Sequence, residues 1–300
     1  LIGSDQFFPQ TDKSFFSKVF NRLLNNFYKN HFNRYILQIA KIFEPHITVV
    51  FKGNHISVET LKGLKEDCWL INFFPDISLT NHSSVEIEGF SQYDKDVARA
   101  IRYAVDNGAK IINGSFGKYF SSNPEWVIDA IRYASENNVL VIAAAGNESK
   151  DLDSLSNDNY PNDQFFNKDE FSDTFIKVGA SSINLDGNFT AYFSNYGKIN
   201  VDVFAPGVDI YSSMPGNKYK SQSGTSMASP VVAGIASLIM SYFPKLSAKK
   251  VKEIILESGI DIDLEIENLG DNKHFREYSK SGKLVNAYNA LILASKSKRK

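Results

Sequence analysis

The sequence predicts an α/β protein with a mostly parallel sheet and helices on both faces. Residues 139–144 form a continuous apolar run, which is typical of a strand buried on both sides in a parallel sheet. Apolar residues recur at helical spacing in residues 98–107 and 125–136, and a shorter apolar run at 110–113 lies between them. Helices and strands that alternate in this way build parallel sheets.

Composition restricts the classes of function. The 300 residues can bury one or two cores, and 43% of them are hydrophobic. A net charge of −1 provides no field that would recruit nucleic acid, and the basic cluster at 296–300 is expected to be solvated. Cys68 is the single cysteine, which excludes an internal disulfide. We expect no membrane span, and because the chain begins at Leu1 without a signal peptide, we expect a fragment or a processed piece.

The first 88 residues predict a separate, incomplete α/β unit. Its expected elements are a long apolar helical segment, a strand, a short helix and a second strand, at 13–43, 47–52, 57–65 and 69–74. A strand, a helix and a strand in this order form a Rossmann-like βαβ unit. We therefore predict two domains, residues 1–88 and residues 91–300, joined by a polar segment. We expect the two to pack into one body, with strands 47–52 and 69–74 beside the sheet that contains 110–113 and 139–144, because either part alone would expose apolar surface.

The segment Gly-Thr-Ser-Met-Ala-Ser-Pro at 224–230 contains the main candidate for catalysis. Gly224 permits an unusual backbone, and the small residues that follow allow a helix to pass close to neighbouring strands. Such a turn presents the hydroxyl of Ser226 at the start of a buried helix, where a nucleophile for acyl transfer is needed. The competing interpretation is a capped core helix with Pro230 in its first turn.

This segment closely resembles the nucleophile signature of the subtilisin-like serine proteases, and residues 91–294 follow the order of that family's segments. The resemblance implies a serine endopeptidase that acts on polypeptides and forms an acyl-enzyme through Ser226. It assigns Asn147 as an oxyanion donor, and it implies an extracytoplasmic location. It also implies that an edge segment binds the substrate backbone and lines the pocket for the residue before the scissile bond, namely Ser115, Phe116 and Gly117. By themselves, Asn147 and this segment are also consistent with ordinary turns.

The partners of a catalytic serine are missing from the sequence. A serine nucleophile needs an imidazole to take its proton and a carboxylate to orient that imidazole. In the resembled family these come from Asp-Ser/Thr-Gly and His-Gly-Thr-His motifs upstream of the serine, and neither occurs here. His82 is a weak candidate base, and a polar loop histidine is the competing interpretation. Asp5 is not followed by the required glycine. We therefore expect very weak or no activity from this chain.

Two alternatives to an active peptidase stay open. The first is a non-catalytic, protease-like module that binds peptides without cutting them. The second is a chimeric chain, because residues 13–82 resemble the N-terminal half of bacterial glycosyltransferases of the spore-maturation CgeB type, on the phrases at 51–61 and 74–76. That resemblance would place Lys52 and Asp76 near a cleft of the glycosyltransferase fold.

No metal site and no cofactor are assigned, although calcium is an open alternative. Residues 148–173 are rich in acidic and amide side chains and are expected to form an excursion near the substrate cleft. Calcium stabilises many members of the resembled family and binds carboxylates. The spacing of the five candidates matches no known loop motif and favours a solvated loop; they are Asp151, Asp153, Asp158, Asp163 and Asp169.

Overall fold

The computed structural model describes residues 47–51, 69–73, 87–164, 169–214, 218–267 and 273–297. The helices within these ranges are α1 (Ile87–Asp106), α2 (Pro124–Glu136), α3 (Thr225–Tyr242), α4 (Ala248–Glu257) and α5 (Ala287–Ser297). The strands are β1 (Ile47–Phe51), β2 (Trp69–Phe73), β3 (Ile111–Gly114), β4 (Leu140–Ala144), β5 (Phe175–Ser181), β6 (Val203–Pro206), β7 (Ile210–Met214), β8 (Lys218–Gln222), β9 (Ile260–Asp261), β10 (Glu265–Ile266), β11 (Lys273–His274) and β12 (Lys283–Leu284).

Eight strands form the main sheet, in the order β1-β2-β3-β4-β5-β6-β12-β9. Strands β1 to β6 pair in parallel, β12 is parallel to β6, and β9 closes that edge as an antiparallel strand. Two antiparallel pairs lie outside this sheet, β7 with β8 and β10 with β11. The predicted α/β class with a mostly parallel sheet is confirmed.

Helices cover both faces of the sheet. Each strand contributes side chains to both faces, because successive residues on a strand point to opposite sides. Ile111 belongs to the core that contains α3, α4 and α5, whereas its neighbour Ile112 belongs to the core of α1 and α2. Leu140 and Ile142 of β4 face the first core, and Val141 and Ala143 face the second. The uniformly apolar run that predicted a buried strand therefore serves two cores at once.

The N-terminal strands extend the same sheet. Strand β1 pairs in parallel with β2, and β2 pairs in parallel with β3 through Asn72 opposite Ile112 and Phe73 opposite Asn113. Helix α1 runs without a break across residues 88–91, where the domain boundary was placed. The predicted helices at 13–43 and 57–65 lie outside the described residues. The Rossmann-like unit and the two-domain division stay predictions.

One expectation about helices is corrected, and another stays a prediction. The closing helix predicted from residue 282 begins at Ala287, because Gly282 adopts a φ of +64° in a turn and the next two residues form β12 beside β6. No membrane-spanning segment was expected, yet α3 has 18 residues with a mean hydropathy of 1.3, which is sufficient by length and composition. Because 56% of that helix is buried inside the protein, its apolar character also fits a core helix.

The contact between β5 and β6 predicts a strong effect of one added methyl group. Gly179 lies opposite Phe204, and a Cβ at Gly179 would lie 2.6 Å from the ring of Phe204. Because neither strand can move freely in the sheet, we expect Gly179→Ala to lower the free energy of unfolding by about 1–3 kcal/mol. Urea denaturation measures this change.

Gly234→Ala is the matched control. Gly234 lies on the exposed side of α3, and a Cβ there would meet no atom within 4 Å. Alanine also favours the helix by up to about 1 kcal/mol over glycine, so this variant should be neutral or slightly more stable. Equal destabilisation by the two substitutions would show that the contact with Phe204 is not the cause.

Candidate active site

Ser226 is the second residue of α3, and close backbone packing fixes the start of this helix. The N–H of Gly224 donates to the carbonyl of Gly207 at 2.8 Å. A Cβ on Gly207 would lie 2.6 Å from the Cβ of Ala180 and 2.9 Å from the carbonyl oxygen of Gly224. Only glycine at position 207 allows this approach, which holds the turn before Ser226 against the end of β5. The backbone that carries the half-buried Ser226 is therefore held rigidly.

Pro230 frees the main-chain carbonyl of Ser226 for a contact outside the helix. In a regular helix the N–H of residue 230 would donate to the carbonyl of residue 226, but proline has no N–H. The hydroxyl of Ser115 takes that place and donates to the carbonyl of Ser226 at 3.0 Å. The proline of the motif thereby links the nucleophile's backbone to the edge segment that follows β3.

A second chain of hydrogen bonds ties the next turn of α3 to β3. The hydroxyl of Ser229 donates to Oδ1 of Asn113 at 2.6 Å, and Nδ2 of Asn113 donates to the hydroxyl of Ser115 at 2.8 Å. Asn113 and Ser229 are buried and were not identified from the sequence. A polar residue in an otherwise apolar buried strand was the available signal, because such a group must find partners inside the protein.

Asn147 follows β4 and is oriented by the residue before the nucleophile. Its Oδ1 accepts from both the backbone N–H and the hydroxyl of Thr225, each at 2.9 Å. Gly146 adopts a φ of +102°, and its N–H donates to the hydroxyl of Thr225 at 3.1 Å. Because Thr225 occupies the oxygen of the Asn147 amide, the Nδ2 group is the end that remains to bind a ligand.

Buried Asn195 holds the Asn147 turn in place. Its Oδ1 accepts the N–H groups of Glu148 and Lys150 at 3.1 and 2.9 Å, and its Nδ2 donates to the carbonyl of Ala145 at 2.8 Å. One buried side chain thus supplies hydrogen-bond partners to backbone groups of a loop that has no regular pairing.

The N-terminus of α3 and the amide of Asn147 together can stabilise negative charge. The first N–H groups of a helix lack partners within the helix and carry the positive end of its dipole. Ser226 and Asn147 are therefore suited to bind an oxyanion that forms next to the Ser226 hydroxyl. A serine at the start of a buried helix with such donors beside it is the arrangement of a serine hydrolase.

The described residues supply no proton acceptor for Ser226. Its hydroxyl donates to the carbonyl of Ser115 at 3.3 Å, and a peptide carbonyl is too weak a base to take that proton. Within the described ranges the single histidine is His274, which pairs with Asp263 at 2.8 Å next to the β10–β11 pair. The candidate base His82 lies outside the described residues.

The edge segment 115–117 and the turn at 145–147 continue from neighbouring strands. Residue 114 of β3 lies opposite residue 143 of β4, so the two chains leave the sheet side by side. Lys118 then forms an antiparallel bridge with Tyr160, through backbone bonds of 3.0 and 2.8 Å. A Cβ on Gly117 would lie 3.3 Å from Nδ2 of Asn159. Residues 115–117, 145–147 and 159–160 are therefore neighbours at this end of the sheet, and we call the space among them the gap.

A buried lysine stabilises the excursion between β4 and β5. Lys252 of α4 lies 3.2 Å from Glu170, 3.3 Å from Asp202 and 3.9 Å from Asp163. Burial alone would lower the pKa of Lys252, but these carboxylates raise it above its usual range. Burial raises the pKa of Asp163 and nearby Asp202 raises it further, since two carboxylates share one ammonium.

Lys177 on β5 is buried beneath the same excursion. Its ammonium donates to the backbone carbonyl and to Oδ1 of Asn159, at 2.9 and 2.8 Å. Burial lowers the pKa of Lys177 to about 7, against the opposing effect of nearby Asp163 and Asp202. Sequence reasoning missed this residue because a lysine in an apolar strand resembles a solvated edge position.

Three of the five candidate calcium ligands have other partners. Asp153 accepts the backbone N–H groups of Ile199 and Asn200, and Asp151 accepts the N–H of Asp153. Asp163 faces Lys252, so an ammonium stands where a cation would bind. No group of three or more side chains suited to a metal occurs among the described residues.

Comparison with known proteins agrees with this geometry. The sequence profile of the subtilase family, peptidase S8, matches residues 84–280. Subtilisin DY of Bacillus licheniformis is 34% identical over 223 residues, which is 74% of this chain and 73% of the relative. The chain therefore belongs to the subtilase family of serine proteases. A thermophilic serine proteinase of Bacillus sp. (strain AK1) is 42% identical over 146 residues, 49% of this chain but 32% of that longer protein.

A solved structure shares the fold. The prenylagaramide maturation protease PagA superposes with a TM-score of 0.56 and 25% identity, covering 83% of this chain and 86% of its own. None of the similarities described here concerns a glycosyltransferase, and the family profile begins at residue 84. The resemblance proposed for residues 13–82 therefore has no support from them.

The burial of Lys177 predicts a pH dependence of stability. Burial lowers the pKa of Lys177 in the folded protein to about 7, from the ordinary lysine value of 10.5. Between these values the unfolded chain holds a proton that the folded chain has lost, so raising the pH favours the folded state. Relative to Lys177→Met, the wild type should gain about 1 kcal/mol per pH unit between about pH 7 and pH 9.

Urea denaturation at several pH values tests this prediction. Lys110→Met removes an exposed lysine before β3 and controls for the change in net charge. A constant difference in free energy of unfolding between wild type and Lys177→Met across this range would mean that Lys177 keeps the same protonation when folded and unfolded.

Proposed function

We propose that this chain is a serine endopeptidase domain that is acylated on Ser226 and works slowly. The observation that carries the proposal is the contact of Asn147 with Thr225, whose backbone N–H and hydroxyl both donate to Oδ1 of Asn147 at 2.9 Å. This contact supports a role for Asn147 as an oxyanion donor next to Ser226. The substrate is a polypeptide whose backbone adds to the edge segment 115–117 as an extra strand.

The reaction follows from these positions. The Ser226 oxygen attacks the peptide carbonyl and gives its proton to solvent water, and the carbonyl oxygen becomes an anion that Nδ2 of Asn147 and the N–H of Ser226 stabilise. The C–N bond then breaks, and the leaving amine takes a proton from water. Water hydrolyses the Ser226 ester and releases the second product. The nucleophile is restored when its oxygen regains a proton.

Slow reaction is expected because the proton of Ser226 points at a carbonyl. Its contact with the Ser115 oxygen, at 3.3 Å, orients the hydroxyl but does not activate it. A triad without its base retains only the contributions of binding and of the oxyanion donors, about 10³–10⁴-fold over water. The described part of the chain contains these remaining contributions.

A fluorophosphonate probe tests the state of Ser226. Attack forms an Oγ–P bond and expels fluoride, and the serine proton must reach a base. We expect slow, stoichiometric labelling that Ser226→Ala abolishes and that Ser223→Ala, three residues upstream, leaves unchanged. Mass spectrometry locates the adduct. Labelling as fast as that of a complete triad enzyme would contradict a slow nucleophile, and labelling that survives in Ser226→Ala would reject the assignment.

Asn147→Ala should slow any peptidase activity and the labelling of Ser226. Loss of one oxyanion donor costs about 10²–10³-fold in kcat, the effect documented for the equivalent donor of a subtilisin. Asn184→Ala, an exposed amide after β5, is the matched control. A reduction of less than about threefold in a folded Asn147→Ala protein would remove Asn147 from the site.

His82→Ala decides whether a base lies outside the described residues. If His82 is a loop residue, the slow activity should change by no more than a few-fold; a loss as large as that of Ser226→Ala would make it the base. A non-catalytic peptide-binding module is the second candidate, favoured by the contact between Ser226 and Ser115. Peptide binding without any labelling of Ser226 would select it.

The chimeric origin and the separate N-terminal domain remain further proposals. Their support is the sequence pattern of residues 13–82, and a stable, soluble fragment that starts near Ser91 would favour two domains. The pairing of β2 with β3 favours one body instead, because removal of β2 would expose a sheet edge. Extracytoplasmic location and calcium binding rest on the family alone.

A further inference from the structure

Tyr119 crosses the gap beside Asn147. Its backbone continues the edge segment on one side of the gap, two residues after Gly117. Its hydroxyl reaches the opposite side, where a Cβ built on Gly146 would lie 2.9 Å from it. A side chain that starts on one wall and touches the other must occupy the space between them.

The same position is closed further by Glu148 and Asn195. The Cβ on Gly146 would lie 2.9 Å from the Glu148 carboxylate and 2.4 Å from Nδ2 of Asn195. Three polar groups therefore lie against the Cα of Gly146, one residue before the oxyanion donor Asn147. Space next to this glycine is already filled.

Tyr119 is held there by several contacts. Its hydroxyl donates to the carboxylate of Glu148 and accepts from Nδ2 of Asn195 at 2.6 Å. Glu148 also accepts the backbone N–H of Asn147 at 2.8 Å. The ammonium of Lys150 lies 4.0 Å from the centre of the Tyr119 ring, within range of a cation–π interaction. Displacing Tyr119 would break all of these contacts and disturb the main chain of Asn147.

We propose that Tyr119 is the residue that sets the substrate preference of this site, and that it admits only a small, uncharged side chain before the scissile bond. The proposal rests on the proposed function, since it assumes that a peptide binds along residues 115–117. We expect alanine, glycine and serine residues to bind there without moving the Tyr119 ring, because their side chains are small. A leucine or phenylalanine side chain would have to push the ring away from Glu148 and Asn195.

Charged residues should be rejected as well. An incoming acidic side chain would meet the carboxylate of Glu148, which already accepts bonds from Tyr119 and Asn147. An incoming basic side chain would be long and would compete with Lys150 for the face of the ring. Size and charge thus act together, through residues that the family motif does not include.

The test measures binding separately from catalysis. The full chain with Ser226→Ala is titrated with fluorescein-labelled Ala-Ala-Pro-X peptides with a free C-terminal carboxylate, where X is Ala, Leu, Phe or Glu. The carboxylate fixes the register at the oxyanion site, and fluorescence anisotropy reports the Kd. We expect X = Ala to bind at least about tenfold more tightly than X = Phe, because a pocket discriminates by about this factor or more when a side chain does not fit.

Substitutions at position 119 then identify the cause. In the Ser226→Ala background, Tyr119→Ala should remove or reverse the preference, and Phe should gain at least about tenfold in affinity from the space opened. Tyr119→Phe keeps the ring and should keep most of the preference for Ala. Tyr288→Ala, a 73% exposed tyrosine on α5, is the control. Thermal unfolding shows whether each variant is folded.

The outcomes separate the two proposals. Tight binding of X = Phe to the Ser226→Ala protein, or an unchanged preference in a folded Tyr119→Ala variant, overturns the role of Tyr119 and leaves the peptidase proposal intact. No binding of any peptide overturns the groove and with it both proposals. A preference for Ala that depends on Tyr119 supports the inference, whether or not Ser226 reacts with fluorophosphonate.

Discussion

The side-chain hydrogen bonds that fasten the start of α3 to the ends of β3 and β4 are the constraint on which the site depends. Thr225 is bound to Asn147, Ser229 to Asn113, and the carbonyl of Ser226 to Ser115. The bonds to the N–H of Thr225 and to the carbonyl of Ser226 satisfy backbone groups that lack a partner within the helix, and the bond between Ser229 and Asn113 joins two buried side chains. Breaking one would leave a buried polar group unsatisfied and would also move the nucleophile.

Much of the fold could be predicted because local pattern and tertiary role agree. The apolar run of β4 and the helical spacing of α2 each describe one element with one burial pattern. Boundaries failed where a turn intervened, as at Gly282, because a short strand of two residues has no pattern of its own. The motif identified Ser226 on α3 as a candidate. It did not identify Ser229 on α3 or Asn113 on β3, because these two residues bind each other and lie more than 100 positions apart in the sequence.

Charge inside the protein was the least predictable feature. Acidic residues between β4 and β5 suggested calcium, but Lys252 lies among Asp163, Glu170 and Asp202 instead. The composition of this segment shows that carboxylates are present but does not show which cation neutralises them. Here the cation is the ammonium of a lysine on a helix nearly 90 residues away in the sequence. Lys177 is buried beside this group and donates to Asn159, one of the residues next to the gap. The position of Asn159 therefore depends on a lysine whose pKa burial lowers to about 7.

In the proposed mechanism, the positioning and the activation of Ser226 depend on separate parts of the chain. Every contact described here that positions Ser226 lies within β3 to β6, α3 and the loops next to them, all inside the region matched by the family profile. The base and its carboxylate belong, in the family motif, to the chain ahead of these elements. Sequence change in the first 88 residues can therefore remove proton transfer without loosening the serine. The position of the Ser226 hydroxyl alone therefore does not show whether the protein is active. The reactivity of Ser226 has to be measured directly.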